Sequence, residues 1–238
     1  MHRDVYGEAL YDYFRQGKLL SPLLLHNSYG EAEEMPVDVF FREEEDFPEL
    51  EFIALSLCDG KVLDVGAGAG AHALYLQQKG FDVTALDISA TSCNILRQRD
   101  VQQVVQADIF ELKDQRYDTL LFLMNGIGLA GSLEGFKKLL GHCRTLLTDK
   151  GQLIFDSSDI SYLYEEYGTP RPSHYFGEIG YQYEYKGLRG APFRWLYLDQ
   201  QTLIGIAHEA GWVVQILYED ENDQYLVRME PRRVQEQG

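Results

Sequence analysis

Between residues 61 and 158, short apolar runs alternate with longer amphipathic segments, and this alternation limits the chain to few folds. The apolar runs are KVLDVG (61–66), DVTALD (82–87), QVVQAD (103–108), YDTLLFLM (117–124) and GQLIFDSS (151–158). Segments with helical spacing follow the first, second and fourth runs, as AHALYLQQKG, SATSCNILRQRD and SLEGFKKLLGHCRTLL. Strands that are apolar on both faces and alternate with helices predict parallel βαβ units in a doubly wound α/β fold.

Residues with capping chemistry mark the ends of these helices. Ser89 and Ser132 stand where N-caps are expected, because a serine hydroxyl accepts a hydrogen bond from a free N–H of the first turn. Gly80 follows the first helix as a C-terminal stop. Asp199 and Gly211 bound a further helical segment, QQTLIGIAHEAG, in the same manner.

The C-terminal part of the chain carries two more apolar runs, WVVQILYED (212–220) and QYLVRMEP (224–231). Only a short polar turn separates them, which predicts an antiparallel hairpin. The predicted fold is therefore α/β, with a doubly wound, mostly parallel seven-stranded sheet, an antiparallel last strand and helices on both faces.

The residues before the alternating region are less regular. Residues 3–16 have helical spacing and predict an amphipathic helix, whereas residues 17–46 look irregular. A second helix is expected to begin near Pro48 and to end at Cys58. We therefore expect residues 1–46 to form an N-terminal helical cap.

The main domain, residues 47–238, contains an insertion that breaks the alternation. The insertion spans residues 159–198 and is rich in Tyr and Gly. Two segments within it, IGYQYEYKG and FRWLYLD, look like a β-hairpin or an extended pair of strands. We expect this β-rich insertion to lie above the sheet and to contribute to a substrate chamber.

Composition and charge exclude several classes of protein. A length of 238 residues with 45% hydrophobic residues suits one large domain with a sizeable core. No apolar run approaches the roughly 18–20 residues of a membrane span, and the N-terminus lacks the apolar region of a signal peptide. We therefore expect a cytoplasmic protein without a membrane partner. A net charge of −17 without a dense Lys/Arg cluster disfavours nucleic acid as a partner.

The three cysteines, Cys58, Cys93 and Cys143, are scattered along the chain. Their spacing suggests neither a zinc site nor a disulfide framework, so we expect no bound metal and predict buried thiols in a reducing compartment.

The segment VLDVGAGAG (62–70) is an apolar strand that runs into a glycine-rich turn and then a helix. Gly66, Gly68 and Gly70 allow the backbone to turn tightly and to approach a ligand closely. The N-terminus of the following helix favours an anionic ligand group. Because the loop also satisfies the GxGxxG/A pattern, both a dinucleotide and a nucleoside ligand remain open at this point.

Three carboxylates follow three successive strands and bear on that choice. Asp64 precedes the first glycine, where it is poorly placed beside a pyrophosphate but well placed to accept from a ligand ammonium. Asp87 ends the second strand, where a carboxylate can accept from two ribose hydroxyls, and Asp108 ends the third. No Lys or Arg lies near the loop to neutralise phosphates. The pattern favours a cationic amino-acid nucleoside.

With these motifs, the chain resembles the class I S-adenosylmethionine-dependent methyltransferases over roughly residues 47–158 and 199–231. The matching segments are VLDVGAGAG, VTALDIS, VVQADIF, YDTLLFLMNGIG and the C-terminal hairpin. The resemblance implies S-adenosylmethionine as the cofactor. It also implies a role for each matching residue. Gly66, Ala67 and Gly68 would contact the methionine portion of the cofactor, and Asp87 and Ile88 would hold its ribose and adenine. Asp108 and Ile109 would contact the adenine edge, and Asn125 would form the floor of the methyl-transfer cleft.

Residues outside these motifs admit two interpretations. Arg42 lies upstream of the first strand, where related enzymes often place a basic residue toward the cofactor's carboxylate, but it could equally pair with its acidic neighbours. Tyr29 and Phe41 either cover the cofactor or pack the N-terminal segment onto the sheet. For His72, in the first turn after the glycine loop, packing is the favoured role.

The sequence does not mark a catalytic residue. Asn125 is followed by Gly-Ile-Gly rather than by the proline and aromatics of amino-methylating enzymes that act on adenine or glutamine. His208 and Asp156 are weaker acid/base candidates. His174 and Tyr175 lie in the insertion, above the expected substrate position, and are therefore the candidate catalytic residues.

The function expected from these features is in-line methyl transfer from S-adenosylmethionine to a small-molecule acceptor of unknown identity. The aromatic residues of the insertion would form apolar walls with polar tips, or would simply pack an extra hairpin on the sheet. These residues are Tyr162, Tyr164, Tyr167, Tyr175, Tyr181, Tyr183, Tyr185 and Trp195. Two alternatives stay open: a non-catalytic regulator that binds S-adenosylmethionine or S-adenosylhomocysteine, and an NAD-dependent oxidoreductase.

Overall fold

Helices and strands alternate through most of the chain in the computed structural model, which describes residues 3–165 and 170–233. The α-helices are α1 (Val5–Gln16), α2 (Glu49–Ser56), α3 (Ala71–Gln78), α4 (Ala90–Gln98), α5 (Leu133–Leu146), α6 (Tyr162–Glu165) and α7 (Gln200–Glu209). The strands are β1 (Leu23–Asn27), β2 (Glu33–Met35), β3 (Lys61–Val65), β4 (Asp82–Asp87), β5 (Gln103–Gln106), β6 (Tyr117–Phe122), β7 (Leu147–Ser158), β8 (Glu178–Tyr185), β9 (Leu188–Arg189), β10 (Phe193–Leu196), β11 (Trp212–Glu219) and β12 (Gln224–Pro231). Short 3₁₀ helices span Asp38–Phe41, Glu44–Asp46, Ile109–Glu111 and Gly126–Ala130.

Seven strands form the main sheet in the order β11-β12-β7-β6-β3-β4-β5. The pairs among β7, β6, β3, β4 and β5 are parallel. Strand β12 runs antiparallel to both β7 and β11. The predicted fold class is therefore confirmed, including the antiparallel last strand.

The predicted helix boundaries are confirmed by hydrogen bonds at their caps. The side chains of Ser89, Ser132 and Asp199 each accept from a backbone N–H in the first turn of α4, α5 and α7. Gly80 and Gly211 follow α3 and α7 with φ of 89° and 76°, the left-handed backbone that ends a helix. Local capping chemistry thus determined these boundaries, as the sequence indicated.

A second sheet brings the N-terminal segment and the insertion together. Its strand order is β10-β8-β1-β2, with β9 paired to β8. The pairing of β8 with β10 confirms the extended pair expected in the insertion. The irregular structure predicted for residues 17–46 is wrong at β1 and β2, since β1 pairs antiparallel with β8 from the distant insertion. Such a partner leaves no local signature in a five-residue strand.

The two sheets meet at the carboxyl edge of the main sheet. The 3₁₀ helix Gly126–Ala130, which follows β6, lies directly against β10. A Cβ at Gly128 would stand only 2.1 Å from Trp195 Nε1, so the glycine permits this close contact. Gly131 ends the 3₁₀ helix with φ 70° and places its backbone beside Arg194. Helix α1 packs against both α4 and β8, which joins the N-terminal segment to both sheets.

The predicted burial of the thiols is confirmed, because Cys58, Cys93 and Cys143 are free and buried. Within residues 3–165 and 170–233, no helix is long and apolar enough to cross a membrane.

Candidate active site

A cavity of about 450 Å³ lies between the carboxyl edge of the main sheet and the second sheet. One part of its wall carries three carboxylates, Asp64, Asp87 and Asp108, with the glycine loop beside them. A second part of the wall is aromatic. It consists of Tyr6, Phe40, Phe110, Tyr181, Tyr183, Phe193, Trp195 and Tyr197. The cavity thus joins an acidic wall to an aromatic wall, and open α/β sheets bind their ligands at this edge.

The glycine loop turns back on β4 and exposes its backbone to the cavity. Gly66 and Ala67 donate their N–H groups to the Leu86 carbonyl, and Gly66 has φ 75°. Gly68, with φ 56°, donates its N–H to Asp87 Oδ2 at 2.8 Å. Gly66 and Ala67 line the cavity, whereas Gly68 lies behind them and fastens the loop to Asp87.

Gly70 is not on the cavity wall. Its φ of 90° starts helix α3, and a Cβ there would stand 2.6 Å from the Leu96 side chain. Its role in this structure is therefore to turn the chain and to allow close packing of α3 on α4, and the expectation of a direct ligand contact is corrected.

Asp87 is held by the backbone of both neighbouring loops. Oδ2 accepts from Gly68 and Oδ1 accepts from the N–H of Ser89, both at 2.8 Å. Burial raises the pKa of the Asp87 carboxyl to about 6, and the two N–H donors oppose that rise. Each carboxylate oxygen has a second lone pair, so the group can still accept from a ligand.

The other residues predicted around the cofactor also lie on the wall. Burial raises the pKa of Asp64 to about 6, with the charge of His72 partly opposing it. Asp108 Oδ1 accepts from the Phe110 N–H at 3.0 Å, and Ile109 is buried beside it. Ile88 is 70% exposed and lines the cavity with its apolar side chain.

Asn125 follows β6 and links the two walls. Its N–H donates to Asp156 Oδ2 at 2.8 Å, and its carbonyl accepts from Trp195 Nε1 at 3.0 Å. Met124 and Asn125 both have φ 57°, a left-handed backbone that these contacts maintain. The Asn125 side-chain oxygen is buried and has no hydrogen-bond partner in the described residues.

Arg42 does not lie on the cavity wall, which corrects its predicted contact with the cofactor. Its Nη2 contacts Glu51 Oε1 at 2.6 Å, and its Nε donates to the Val39 carbonyl at 2.9 Å. Glu51 on helix α2, rather than a ligand in the cavity, pairs with the guanidinium, and both side chains are largely buried. Glu51 also contacts His72 Nε2 at 2.8 Å, and His72 does line the cavity.

Neither candidate catalytic residue lies on the wall. Tyr175 donates its hydroxyl to Asp199 Oδ2 at 2.7 Å and accepts from the Asp199 N–H at 2.9 Å, so it supports the start of α7. His174 is exposed, and its Nε2 contacts the Glu178 carbonyl at 3.2 Å. The prediction of His174 and Tyr175 as catalytic groups is therefore corrected, because the insertion folds these residues away from the cavity.

The aromatic wall was foreseen only in part. Of the eight aromatic residues proposed for the chamber, Tyr181, Tyr183 and Trp195 line the cavity, and Tyr167 lies outside the described residues. Tyr6 from α1 was missed, because the helical spacing of α1 does not say what its apolar face covers. Phe41 contacts Tyr13 and Phe14, so it packs the N-terminal segment, as one interpretation held. The missed wall residues are Tyr6, Phe40, Phe110, Phe193 and Tyr197.

A second cavity of about 330 Å³ adjoins the first. Tyr181 and Tyr197 line both cavities, and their hydroxyls lie 3.2 Å apart. The second cavity carries the carboxylates of Glu33 and Glu34 and the ring of Tyr29, whose hydroxyl donates to Glu33 at 3.0 Å. The tyrosine pair therefore lies between the first cavity and a second cavity that also carries carboxylates.

Comparison with known proteins relates the whole chain to methyltransferases. Residues 62–151 match the family model described as a methyltransferase domain. An S-adenosylmethionine-dependent methyltransferase from Bacteroides fragilis, solved in complex with S-adenosyl-L-homocysteine, superposes with a TM-score of 0.89 at 37% identity. That alignment covers 97% of this chain and 95% of the other.

Two further relatives are more distant. A glycine/sarcosine N-methyltransferase from Aphanothece halophytica is 26% identical over 152 residues, which cover 60% of this chain and 57% of that protein. The CcbJ methyltransferase from Streptomyces caelestis shares the fold with a TM-score of 0.66 at 14% identity, over 96% of this chain and 98% of that one. Neither an NAD-dependent oxidoreductase nor a non-catalytic regulator is favoured by these matches. Because the relationship to a characterised structure extends over nearly the entire chain, this protein belongs to the class I S-adenosylmethionine-dependent methyltransferases and uses S-adenosylmethionine as its cofactor.

Proposed function

We propose that this enzyme transfers the methyl group of S-adenosylmethionine, by in-line displacement, to the amine nitrogen of a small acceptor without a carboxylate. The observation that carries the proposal is the composition of the cavity wall: carboxylates and aromatic rings line it, and no Lys or Arg does within the described residues. Such a wall favours cationic and neutral aromatic groups, and apart from His72, which lies beside the glycine loop, it offers little to balance an anion.

The acidic wall suits the cofactor. Asp87 would accept from the ribose hydroxyls, Asp64 from the ammonium of the methionine portion, and Asp108 from the adenine edge. Gly66 and Ala67 would lie alongside the methionine portion, and Ile88 and Ile109 would pack against the adenine. The fit rests on an observation: Asp64 and Asp87 are buried carboxylates with raised pKa values, so hydroxyl or ammonium donors in the cavity would stabilise their charged forms.

The aromatic wall suits an amine. A ring face attracts an ammonium group or its methylated product, by about 2 kcal/mol where water is excluded. The name of the relative from Aphanothece halophytica supports nitrogen as the nucleophile, although its acceptors carry a carboxylate. Because no Lys or Arg in residues 3–165 and 170–233 lines the wall, we propose a different acceptor here.

The second cavity provides an approach for such an acceptor. Glu33 and Glu34 would attract a cation, and the net charge of −17 would favour its encounter with the protein. The acceptor would then pass Tyr181 and Tyr197 to reach the first cavity. Because an acid-rich approach repels anions, it favours cationic acceptors over anionic ones, as the cavity wall does.

Bound S-adenosylmethionine supplies a methyl group that is already activated by its sulfonium, so the protein's task is chiefly alignment. Trp195, whose Nε1 is held by the Asn125 carbonyl, would fix the acceptor against its ring. The carboxylates of the approach would receive the proton that an ammonium must lose before it can act as a nucleophile.

A matched set of acceptors tests this proposal. Benzylamine, 4-(aminomethyl)benzoate and benzyl alcohol share one ring and differ in charge and nucleophile, and methyl transfer from labelled S-adenosylmethionine measures each. We expect benzylamine to be the best of the three by at least roughly 10-fold, the size of a modest difference in binding. Preferred methylation of the carboxylate-bearing amine or of the alcohol would overturn the proposal, and a Trp195→Leu variant serves as the control for reaction in the cavity.

A further inference from the structure

Arg42 contacts Glu51 and does not line the cavity, so it does not offer its charge to a bound cofactor. The methionine portion of the cofactor is a zwitterion, with an ammonium and a carboxylate on one carbon. Asp64 offers a partner to the ammonium, and a basic side chain on the same wall would offer one to the carboxylate. His72 is the basic side chain that lines the cavity in the described part of the chain, and it is 7% exposed.

The surroundings of His72 favour its charged form. Glu51 on α2 contacts its Nε2 at 2.8 Å, Asp64 on β3 lies near, and the Phe47 ring packs against the imidazole with centroids 5.4 Å apart. Burial lowers the pKa of His72, but the hydrogen bond to Glu51 and the charges of Asp64 and Glu51 outweigh it and the opposing charge of Arg42, so the pKa of His72 is raised.

Glu51 is itself fixed as a carboxylate. Burial raises its pKa, but the hydrogen bonds and charges of His72 and Arg42 outweigh that effect and lower it. The four groups Arg42, Glu51, His72 and Asp64 therefore alternate in sign and sum to no net charge. A zwitterionic ligand adds one positive and one negative group, and so leaves this balance unchanged.

We propose that His72, as an imidazolium hydrogen-bonded to Glu51, binds the carboxylate of the cofactor's methionine portion while Asp64 binds its ammonium. Nε2 is engaged by Glu51, and an imidazolium has a second N–H, at Nδ1, to donate. Arg42 is then a positioning residue that acts through Glu51. This inference rests on the family's cofactor and not on the proposed acceptor.

Two ligands that differ only at the amino-acid end test the assignment. S-adenosylhomocysteine carries the zwitterion, and 5′-methylthioadenosine keeps the nucleoside and the sulfur without it. In a His72→Gln variant, which keeps a donor for Glu51 but no charge, we expect calorimetry to show an S-adenosylhomocysteine affinity reduced at least about 10-fold. The affinity for 5′-methylthioadenosine should stay within about 2-fold, a change of only about 0.4 kcal/mol.

Equal losses for both ligands would overturn the assignment, because they would show that His72 only supports the fold of the loop. Unchanged affinity for both would overturn it as well. An Asp87→Asn variant is the matched control, since it removes a charge from the nucleoside end and should weaken both ligands alike. No acceptor is needed, so the result stands apart from the outcome of the acceptor assay.

The pH dependence of the same two affinities gives a second readout, which does not depend on whether the variant folds. As the pH rises above 6.5, the ordinary pKa of a histidine, the wild-type affinity for S-adenosylhomocysteine should fall as His72 loses its proton, while that for 5′-methylthioadenosine stays flat. In Glu51→Gln the fall should move to lower pH, because the partner that raises the pKa of His72 has lost its charge. Parallel pH curves for the two ligands in the wild type would contradict the proposal.

Discussion

The two walls of the main cavity are built by different means. The acidic wall comes from Asp64, Asp87 and Asp108, each at the end of a strand of the parallel sheet or just beyond it. The aromatic wall comes from α1, from two 3₁₀ helices, from strands β8 and β10, and from Tyr197 just beyond β10. The first wall is the product of one local pattern repeated three times. The second includes Tyr181 and Tyr183 of β8, a strand that pairs with the distant β1.

The walls also differ in their effect on the stability of the unliganded protein. Burial raises the pKa of Asp64 and Asp87 to about 6, which means that their charged forms are unfavourable without a ligand. The ring of Tyr183 stacks on those of Tyr6 and Phe193, and such apolar contacts stabilise the protein without a ligand. Substitutions in the two walls should therefore separate cofactor binding from acceptor use.

The largest effect is expected at the acidic wall. Asp87→Ala removes the acceptor of the ribose hydroxyls and of the Gly68 and Ser89 N–H groups. Since hydrogen bonds to a charged group contribute about 1.5–3 kcal/mol each, we expect the affinity for S-adenosylhomocysteine to fall at least about 100-fold in calorimetry. Asp82→Ala, at the opposite end of the same strand, is the control and should retain the wild-type affinity. Retained affinity in Asp87→Ala would refute the ribose assignment.

A substitution in the aromatic wall should have the complementary effect. Trp195→Leu removes a ring from the cavity and the donor to the Asn125 carbonyl. We expect kcat/KM for benzylamine to fall roughly 10- to 100-fold, the equivalent of about 1.4–2.7 kcal/mol. The affinity for S-adenosylhomocysteine should remain within about 2-fold. A matching loss of that affinity would show that the two walls do not act separately.

Acidification should act on the acidic wall with opposite signs for stability and for binding. The folded-state pKa of Asp64 and Asp87, about 6, lies above their ordinary value of 3.8. The folded protein therefore binds more protons than the unfolded chain between these values, and its free energy of unfolding rises as the pH falls from 7 toward 5. Glu51, whose pKa is lowered from its ordinary value of 4.5, opposes this change only as the pH approaches 4.5, below most of the window.

Over the same window the affinity for S-adenosylhomocysteine should fall, since protonated carboxyls accept hydroxyl and ammonium groups less well. We expect the Tm of the unliganded protein to rise by a few degrees from pH 7 to pH 5, of the order of a 1 kcal/mol gain. Thermal melts with and without the ligand measure both trends. A ligand affinity that rises together with the unliganded Tm would count against carboxylate recognition.

The smallest effect is expected where the second sheet does not line the cavity. Tyr185 on β8 donates its hydroxyl to Asp12 on α1 at 3.0 Å. Tyr185→Phe removes this one hydrogen bond, and we expect the free energy of unfolding to fall by about 1 kcal/mol in urea titration. Cofactor affinity and methyl transfer should not change. A loss of methyl transfer in the folded variant would show that the contact between Tyr185 and Asp12 also contributes to function.

Local patterns predicted most of the parallel sheet and its caps, because apolar period, N-cap serines and terminal glycines act over a few residues. The same patterns placed Asp64, Asp87 and Asp108 at one edge of the sheet, where all three line the cavity. Gly70 was predicted to contact the ligand but packs against Leu96 instead. A glycine required for close packing looks the same in sequence as one required by a ligand.

Predictions failed where competing partners decide the outcome. Arg42 could pair with several carboxylates, and only the fold brings Glu51 within 2.6 Å of it. Tyr175 and His174 were placed above the substrate because they belong to the insertion, but Tyr175 instead supports Asp199 at the start of α7. Neither choice could be made without the positions of the partner groups.

The sequence by itself determined the parallel sheet, the glycine loop and the three carboxylates at its edge. Each of these is indicated by a pattern among residues near one another along the chain. Only the tertiary structure decided that β1 joins β8, that Tyr6 and Trp195 share a cavity, and that His72 rather than Arg42 faces it. Strand pairing over more than 150 residues and the competition among buried charges depend on distances that no local pattern records.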